Sequence, residues 1–297
     1  MNTMEELRRK IGSVEDMQSV VTTMKTLAAA RIRQFESAAR ATQTYSQSIR
    51  WALQILMHQR RRQDGRQWIT NHRPSGQTAL VLLGSDQGFC GRFNESVATA
   101  AISHSSERDN PTKEARPLVL AIGIRLSQRL LANGAKIDKT LQLPNSPAGI
   151  TKAVQQMLVQ LEHWQTHHDV DRIELVFNHR QSASQYTLRQ VQLLPISADY
   201  LNQLSNEPWE SRSLPHCSLP WESAFASVLR QHIFLELFLA LTESLASENA
   251  SRIAAMQRAE TNISEKLHLL QADYHSARQR AITEEIFDII SGVEASS

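Results

Sequence analysis

By residue type, the segment Gly84-Ser-Asp-Gln-Gly-Phe-Cys-Gly91 is the stretch best suited to cradling a phosphate. Dinucleotide loops use G-x-G-x-x-G, whose glycines allow a tight turn and close backbone approach to the pyrophosphate. Here the spacing is G-x-x-x-G-x-x-G. A phosphate loop needs Gly-Lys-Ser/Thr, and no lysine in this chain follows a glycine. The segment therefore reads as a tight strand-to-helix turn with Cys90 as a small buried residue, with nucleotide binding as the alternative.

Other candidates carry less chemistry. His163, His167 and His168 cluster near an expected helix end, but a metal site wants further ligands on the same face, and a solvated helix end is the simpler reading. Arg60-Arg61-Arg62 with Arg66 is a basic run of the kind that touches nucleic acid or lipid headgroups. At the end of a helix it equally complements the macrodipole. Cys90 and Cys217 lie far apart without metal-ligand spacing, so neither a disulfide framework nor a zinc site is indicated. No acid/base pair, nucleophile constellation or metal motif emerges, and the expectation is no catalytic, cofactor-binding or metal residue.

The chain has 297 residues, 41% of them hydrophobic and 21% charged, as in an ordinary soluble protein. A net charge of +2 is too small to argue for nucleic acid or a membrane surface. The first ten residues contain Glu5 and Glu6 and no apolar core, unlike a secretory signal. The most apolar stretch, 225–245, is interrupted by Arg230, His232, Glu236 and Glu243, and is not expected to span a membrane.

Glycine and proline placement divides the chain into three parts. None occurs between Gly12 and Gly65, and none between Pro220 and Gly292. In the first tract Val14, Met17, Val21, Met24, Ala28, Phe35, Ala38, Thr42, Tyr45, Ile49, Ala52 and Leu56 recur in steps of three and four, with Arg31 as the exception. In the last tract the seam runs from Phe225, Val228 and His232 through Ile253, Met256, Glu260, Ile263, Leu267 and Leu270 to Tyr274, Ala277 and Ala281. That repeat keeps one helix face turned toward a partner helix. The two helices would run roughly 70–80 Å and roughly 100 Å. Connectivity makes them antiparallel if they pair. The last helix is longer, so Ile282, Ile286, Phe287, Ile289 and Ile290 form an apolar tip that implies an enclosing partner. A bundle of shorter hairpins is the alternative, although breakers that would form them are missing.

Between these tracts, 78–84 and 117–122 read as buried strands followed by helices near Phe93 and over 124–132. Ser146 and Pro147 suit the N-cap and first turn of a third helix, to about Thr166. Residues 173–177 and 187–194 read as further strands, giving a mostly parallel α/β sheet with an antiparallel edge. The expected organisation is an N-terminal coiled-coil helix (1–62), a Rossmann-like α/β domain (76–196), a connecting loop (197–220) and a C-terminal coiled-coil helix (221–293).

Five stretches, the first two of them in one entry helix, together resemble the γ subunits of F-type ATP synthases. Glu6-Leu-Arg-Arg-Lys-Ile-Gly-Ser-Val14 and Thr23-Met-Lys-Thr-Leu-Ala-Ala-Ala-Arg-Ile32 resemble that family's entry helix. Ser85-Asp-Gln-Gly-Phe-Cys-Gly-Arg-Phe-Asn94 resembles its S-D-R-G-L-C-G-G-L-N, and Leu245-Ala-Ser-Glu-Asn-Ala-Ser-Arg-Ile-Ala-Ala-Met256 its L-A-S-E-Q-A-A-R-M-V-A-M. Ala277-Arg-Gln-Arg-Ala-Ile-Thr-Glu-Glu-Ile286 with Ser291-Gly292 resembles the terminal motif. Thr26, Gln87 and Arg92 depart from the usual methionine, arginine and glycine, and a family lysine is lost around Thr22 and Thr23. These departures suggest a divergent branch, with a sodium-translocating enzyme as one reading.

The resemblance implies a central-stalk rotor that does no catalysis itself and couples ion flow, of protons or sodium, to ATP synthesis on neighbouring subunits. Its implied partners are a ring of α and β subunits, an ε subunit and a membrane c-ring, with no nucleic acid. By resemblance Met24 and Lys25 meet β-subunit loops, Arg252 is their counterpart on the last helix, and Arg278, Gln279 and Thr283 meet the upper ring. The tip between Ile286 and Ile290 would turn in an apolar sleeve. The 208–220 loop is a candidate foot contact. The implied location is peripheral, on the cytoplasmic face of a bacterial inner membrane. A coiled-coil tether or sensor with a ligand-binding domain, and a nucleotide-dependent enzyme, are the competing readings.

Overall fold

Without a glycine or proline to stop it, the last tract of the chain forms one helix. The computed structural model describes residues 4–64, 76–107, 116–181, 186–209, 211–213 and 215–294. The elements in chain order are α1 (Met4–Ala41), α2 (Gln43–Asp64), β1 (Gln77–Leu83), α3 (Phe93–Glu107), β2 (Leu118–Ile122), α4 (Ile124–Ala132), β3 (Lys139–Leu141), α5 (Ile150–His167), β4 (Val170–Arg180), β5 (Tyr186–Leu194), α6 (Ala198–Asn206) and α7 (Trp221–Glu294). Long N- and C-terminal helices thus flank, in sequence, a Rossmann-like α/β middle with a mixed five-stranded sheet. The 74-residue α7 rules out hairpins at that end. By compactness the chain divides into a unit of Met1–Ala29 with Arg252–Ser297 and a unit of Ala30–Ser251.

In the larger unit the strands order β3-β2-β1-β4-β5. β1 pairs parallel with β2 and β4, β2 parallel with β3, and β5 antiparallel with β4. β1 and β2 read as unbroken apolar runs because helices cover both faces of the sheet. Alternation then sorts the side chains. Ala79, Val81, Leu83, Leu120 and Ile122 pack with Ile150, Val154, Met157 and Leu161 of α5 and with Leu237, Leu241 and Leu245 of α7. Leu80, Leu82, Val119 and Ala121 pack with Val97 and Ala98 of α3 and Leu126 and Leu130 of α4. Phe35 of α1, 2% exposed, joins the first cluster. An 18-residue stretch within 221–287 has a mean hydropathy of 1.4, apolar enough by length and composition to cross a membrane. Ile233, Leu237, Leu241 and Leu245 of the same helix belong to the sheet's core.

At the other end of this unit α2, α6 and the start of α7 share a cluster of Leu53, Leu56, Met57, Leu201, Leu204 and Ala224. Arg50 binds Glu207 at 2.5 Å, while Gln54 Nε2 and His58 Nε2 meet the Glu207 carbonyl at 3.2 and 2.9 Å. The antiparallel course follows from pairs that descend α7 as α2 is climbed: Tyr45 donates to Gln231 at 2.7 Å, and Trp221 to the Leu56 carbonyl at 3.3 Å.

The structure departs from the sequence expectations at definite points. The first tract is two helices, because Thr42 folds back to donate both its Oγ1 and its backbone N–H to the Ala39 carbonyl, at 2.8 and 3.2 Å. The connector 197–220 contains α6. A short parallel strand, β3, adds to the sheet edge beyond β2. Ser146 precedes a 3-10 turn, Pro147–Gly149, that leads into α5, and its side chain makes no capping hydrogen bond. Arg61 donates to the Ser205 carbonyl and Asn206 Oδ1 at 2.9 and 2.7 Å, and Arg60 lies 4.7 Å from the Trp221 ring. Two members of the basic run are therefore tied into the helical base. Arg66 lies outside the described residues.

Candidate functional site

The glycine-bearing turn after β1 is closed from within. Ser85 N–H donates to Asn94 Oδ1 at 2.9 Å, and Asn94 Nδ2 donates back to Ser85 Oγ at 2.8 Å. The first backbone N–H of α4 is the kind of donor that binds phosphate in related sheets. Here Ile124 N–H donates to Asp86 Oδ1 at 2.7 Å, and Leu143 N–H to Asp86 Oδ2 at 2.8 Å. The chain's own carboxylate fills the anion position. Gly84 is required by packing, since an added Cβ would lie 2.2 Å from Leu126 Cβ. Gly123 has φ +115 and would meet the Ser85 backbone at 2.7 Å. Cys90 is 3% exposed, and its carbonyl accepts from Ser251 Oγ of α7 at 2.6 Å. These glycines serve close approach of the chain to itself. Phe89, 68% exposed with φ 60, is the one large apolar side chain of this turn that faces outward.

The crevice at the carboxyl ends of β1 and β4, where open α/β sheets commonly bind ligands, is bordered by the chain's own helices. His179 meets Glu243 of α7 at 2.8 Å, and Arg180 meets Glu36 of α1 at 2.5 Å. The His167 and His168 rings lie with centroids 4.2 and 6.2 Å from that of His163, one tilted and one edge-on, and all three are exposed. Among the described residues no group of three or more His, Cys, Asp or Glu is placed to hold a metal ion.

The smaller unit carries the residues expected to face partners. Leu7, Val21 and Ala28 of α1 are 3%, 9% and 2% exposed, and Met256, Leu267 and Leu270 of α7 are 3%, 9% and 6% exposed. Lys25 Nζ donates to Glu260 Oε2 at 2.6 Å across this pair. An antiparallel register through that bond brings the start of α1 level with Ala281. Beyond it α7 is unaccompanied by α1. Ile282, Ile286, Phe287, Ile289 and Ile290 are 47%, 52%, 63%, 63% and 50% exposed. At about 100° per residue they sweep an arc of roughly 160°, wider than a single seam.

Met17 is 55% exposed and does not belong to the seam; Gln18 is half-buried in its place. With Val20 at 58% and Leu27 at 55%, Met17 forms a second apolar stripe with Met24. Two stripes one residue apart share the same period, so periodicity could not tell which one faces α7. Met24 and Lys25 are half-buried, and Arg278, Gln279 and Thr283 are exposed, with Thr283 Oγ1 donating to the Gln279 carbonyl at 2.8 Å. Arg252 stands apart from them at 3% exposure. Glu260, the partner of Lys25, was on the expected seam but carried no signal of an ion pair.

A family model described as ATP synthase matches residues 3–295. The ATP synthase gamma chain of Geotalea uraniireducens is 27% identical over 302 residues, covering 99% of each chain. That of Brevibacillus brevis is 29% identical over 296 residues, covering 98% of this chain and 97% of the relative. Among solved structures, a chain from the rotor of the Euglena gracilis mitochondrial ATP synthase superposes with a TM-score of 0.62 at 21% identity, covering 94% of this chain and 98% of that one. With the family model matched almost from end to end, the chain belongs to the ATP synthase family, as a γ chain of that membrane-associated complex.

Proposed function

We propose that this γ chain is the non-catalytic central-stalk rotor of an F-type ATP synthase, converting ion flow through a c-ring into conformational change on catalytic β subunits. The observation that carries the reading is the unequal helix pair. α7 runs on past the start of α1 and there exposes five large apolar side chains. A shaft of two unequal helices differs in each direction, so it contacts three surrounding β subunits differently. Only such differential contact energy shifts their conformations.

In this reading Met24 and Lys25 meet β-subunit loops, with the outward stripe of Met17, Val20 and Leu27 beside them. Arg278, Gln279 and Thr283 meet the upper α/β ring. Ile286 and Ile290 turn in an apolar sleeve, which restrains the tip sideways with few directional bonds to break. Arg252, being buried, acts by holding the helix in place more than by presenting its own charge. The α/β domain, 76–196, is the foot against the ε subunit and the c-ring, and the 208–220 connector lies with it. The complex holds the chain peripherally on the cytoplasmic face of a bacterial inner membrane.

The test is co-purification and turnover. A tagged chain expressed in its own cells should bring down the α and β ATPase subunits in a fixed ratio, and the isolated chain should hydrolyse no ATP. Self-dimerisation without those subunits, or turnover abolished by a substitution in 84–91, would overturn the proposal.

A further inference from the structure

At the end of β4 two neighbouring side chains reach two different helices. His179 Nδ1 lies 2.8 Å from Glu243 Oε2 on α7, and Arg180 Nη1 donates to Glu36 Oε1 on α1 at 2.5 Å. Beside both pairs lies an open cavity of roughly 400 Å³, lined also by Phe35, Ala39, Thr242 and Ala246. Apolar packing therefore thins where the strand end meets the helices, and directional polar contacts bridge the gap.

We infer that His179 and Arg180 are positioning residues for torque transfer, a two-point joint through which the sheet turns both helices together. The inference rests on the rotor reading above. Apolar contact is non-directional, so a sheet held by it alone yields to tangential sliding until side chains interlock. Ser251 of α7 also ties that helix to the turn after β1. Anchors on both helices oppose pivoting about either one. Side-chain exposures are 38% and 36% for His179 and Glu243, and 29% and 40% for Arg180 and Glu36. Partly solvated pairs add little to folding stability, so their placement has a mechanical consequence that their stability contribution does not.

The experiment reconstitutes the complete membrane complex with three chains: the parent, Glu36→Gln with Glu243→Gln, and the charge exchange Glu36→Arg with Arg180→Glu. Glutamine keeps volume and hydrogen-bonding capacity while removing charge. Read-outs are ions pumped per ATP hydrolysed against an opposing gradient, and the thermal angular variance of a bead on the foot without ATP. The glutamine pair should halve the pumping ratio and widen the variance by half, while the free chain melts at the parent temperature. The charge exchange should recover most of both. Parent complexes that pump normally, with variants that pump equally well, overturn the joint and leave the rotor reading standing. So does an exchange that pumps no better than the glutamine pair, or a loss of pumping matched by a loss of melting temperature. A parent chain that fails to assemble removes the rotor reading, and the joint with it.

Discussion

Replacing Ile286 and Ile290 by serine separates docking of the tip from folding of the chain. The two side chains are 52% and 50% exposed, so about half of each is already buried and half remains for a partner to cover. Full burial of an isoleucine is worth about 1.5–3 kcal/mol, so enclosing the exposed halves offers about 1 kcal/mol each and about 2 kcal/mol together. At about 1.4 kcal/mol per factor of ten, losing both weakens binding to the catalytic ring about 30-fold. The isolated chain loses little, since both positions are solvated and serine is close to isoleucine in helix propensity. The assay titrates labelled parent and variant chains onto a shaft-free ring of α and β subunits and melts each free chain alongside. The expected result is a Kd raised about 30-fold with melting within about 2 °C of the parent. An unchanged Kd refutes the enclosed-tip argument. A large fall in melting temperature refutes the claim that the tip is unpacked in the free chain.

Three further outcomes follow from burial and charge. Phe35→Ala empties a site 2% exposed in the sheet's main cluster and should cost about 3–5 kcal/mol in denaturant unfolding, whereas Met17→Ser, at a residue 55% exposed, should cost under about 0.5 kcal/mol. Arg252→Ala should lower the melting temperature of the free chain, because truncating a side chain 3% exposed leaves a cavity, and Arg252→Lys should recover part of the loss. Burial holds the His232 imidazole below its ordinary pKa, against an opposing pull from Glu236, with the Tyr200 ring stacked 6.1 Å away. A depressed histidine contributes stability above its unfolded pKa, about 6.5, and loses it as pH falls further, because the unfolded chain then binds the extra proton. The melting temperature should therefore fall from about pH 7.5 to about pH 5.5, and His232→Gln should flatten that slope.

The parts of this fold that the sequence discloses are those set by long, regular patterns. The absence of helix breakers across 221–291 foretells α7, and the unbroken apolar runs at 78–83 and 118–122 foretell strands buried on both faces. Local exceptions hide. β3 has three residues, too few for any period, and sits where only the neighbouring β2 makes it a strand. α6 lies inside a proline-framed connector, yet Pro195 and Pro208 fall just outside its ends and interrupt nothing. Thr42 breaks the first helix by a side-chain hydrogen bond that residue type permits but does not require. The candidate site divides the same way. The exposed apolar run from Ile282 to Ile290 is legible because no partner positions remain for it, and the residues of the 84–91 turn already lack the spacing of a phosphate loop. That Asp86 fills the anion position, that Lys25 meets Glu260, and that His179 and Arg180 reach different helices depend on register between segments far apart in sequence. Arg252 shows the cost of that limit: a motif marks it, but only packing reveals that it is buried.

The proposed role requires this chain to turn as a shaft. The direct measurement fixes the catalytic ring to a surface, attaches a bead to the foot domain and supplies ATP. The bead should rotate in one direction, with three equivalent dwell positions reflecting the three β subunits about the uneven helix pair. A bead that stays still, or merely fluctuates, while the same complexes hydrolyse ATP would contradict it.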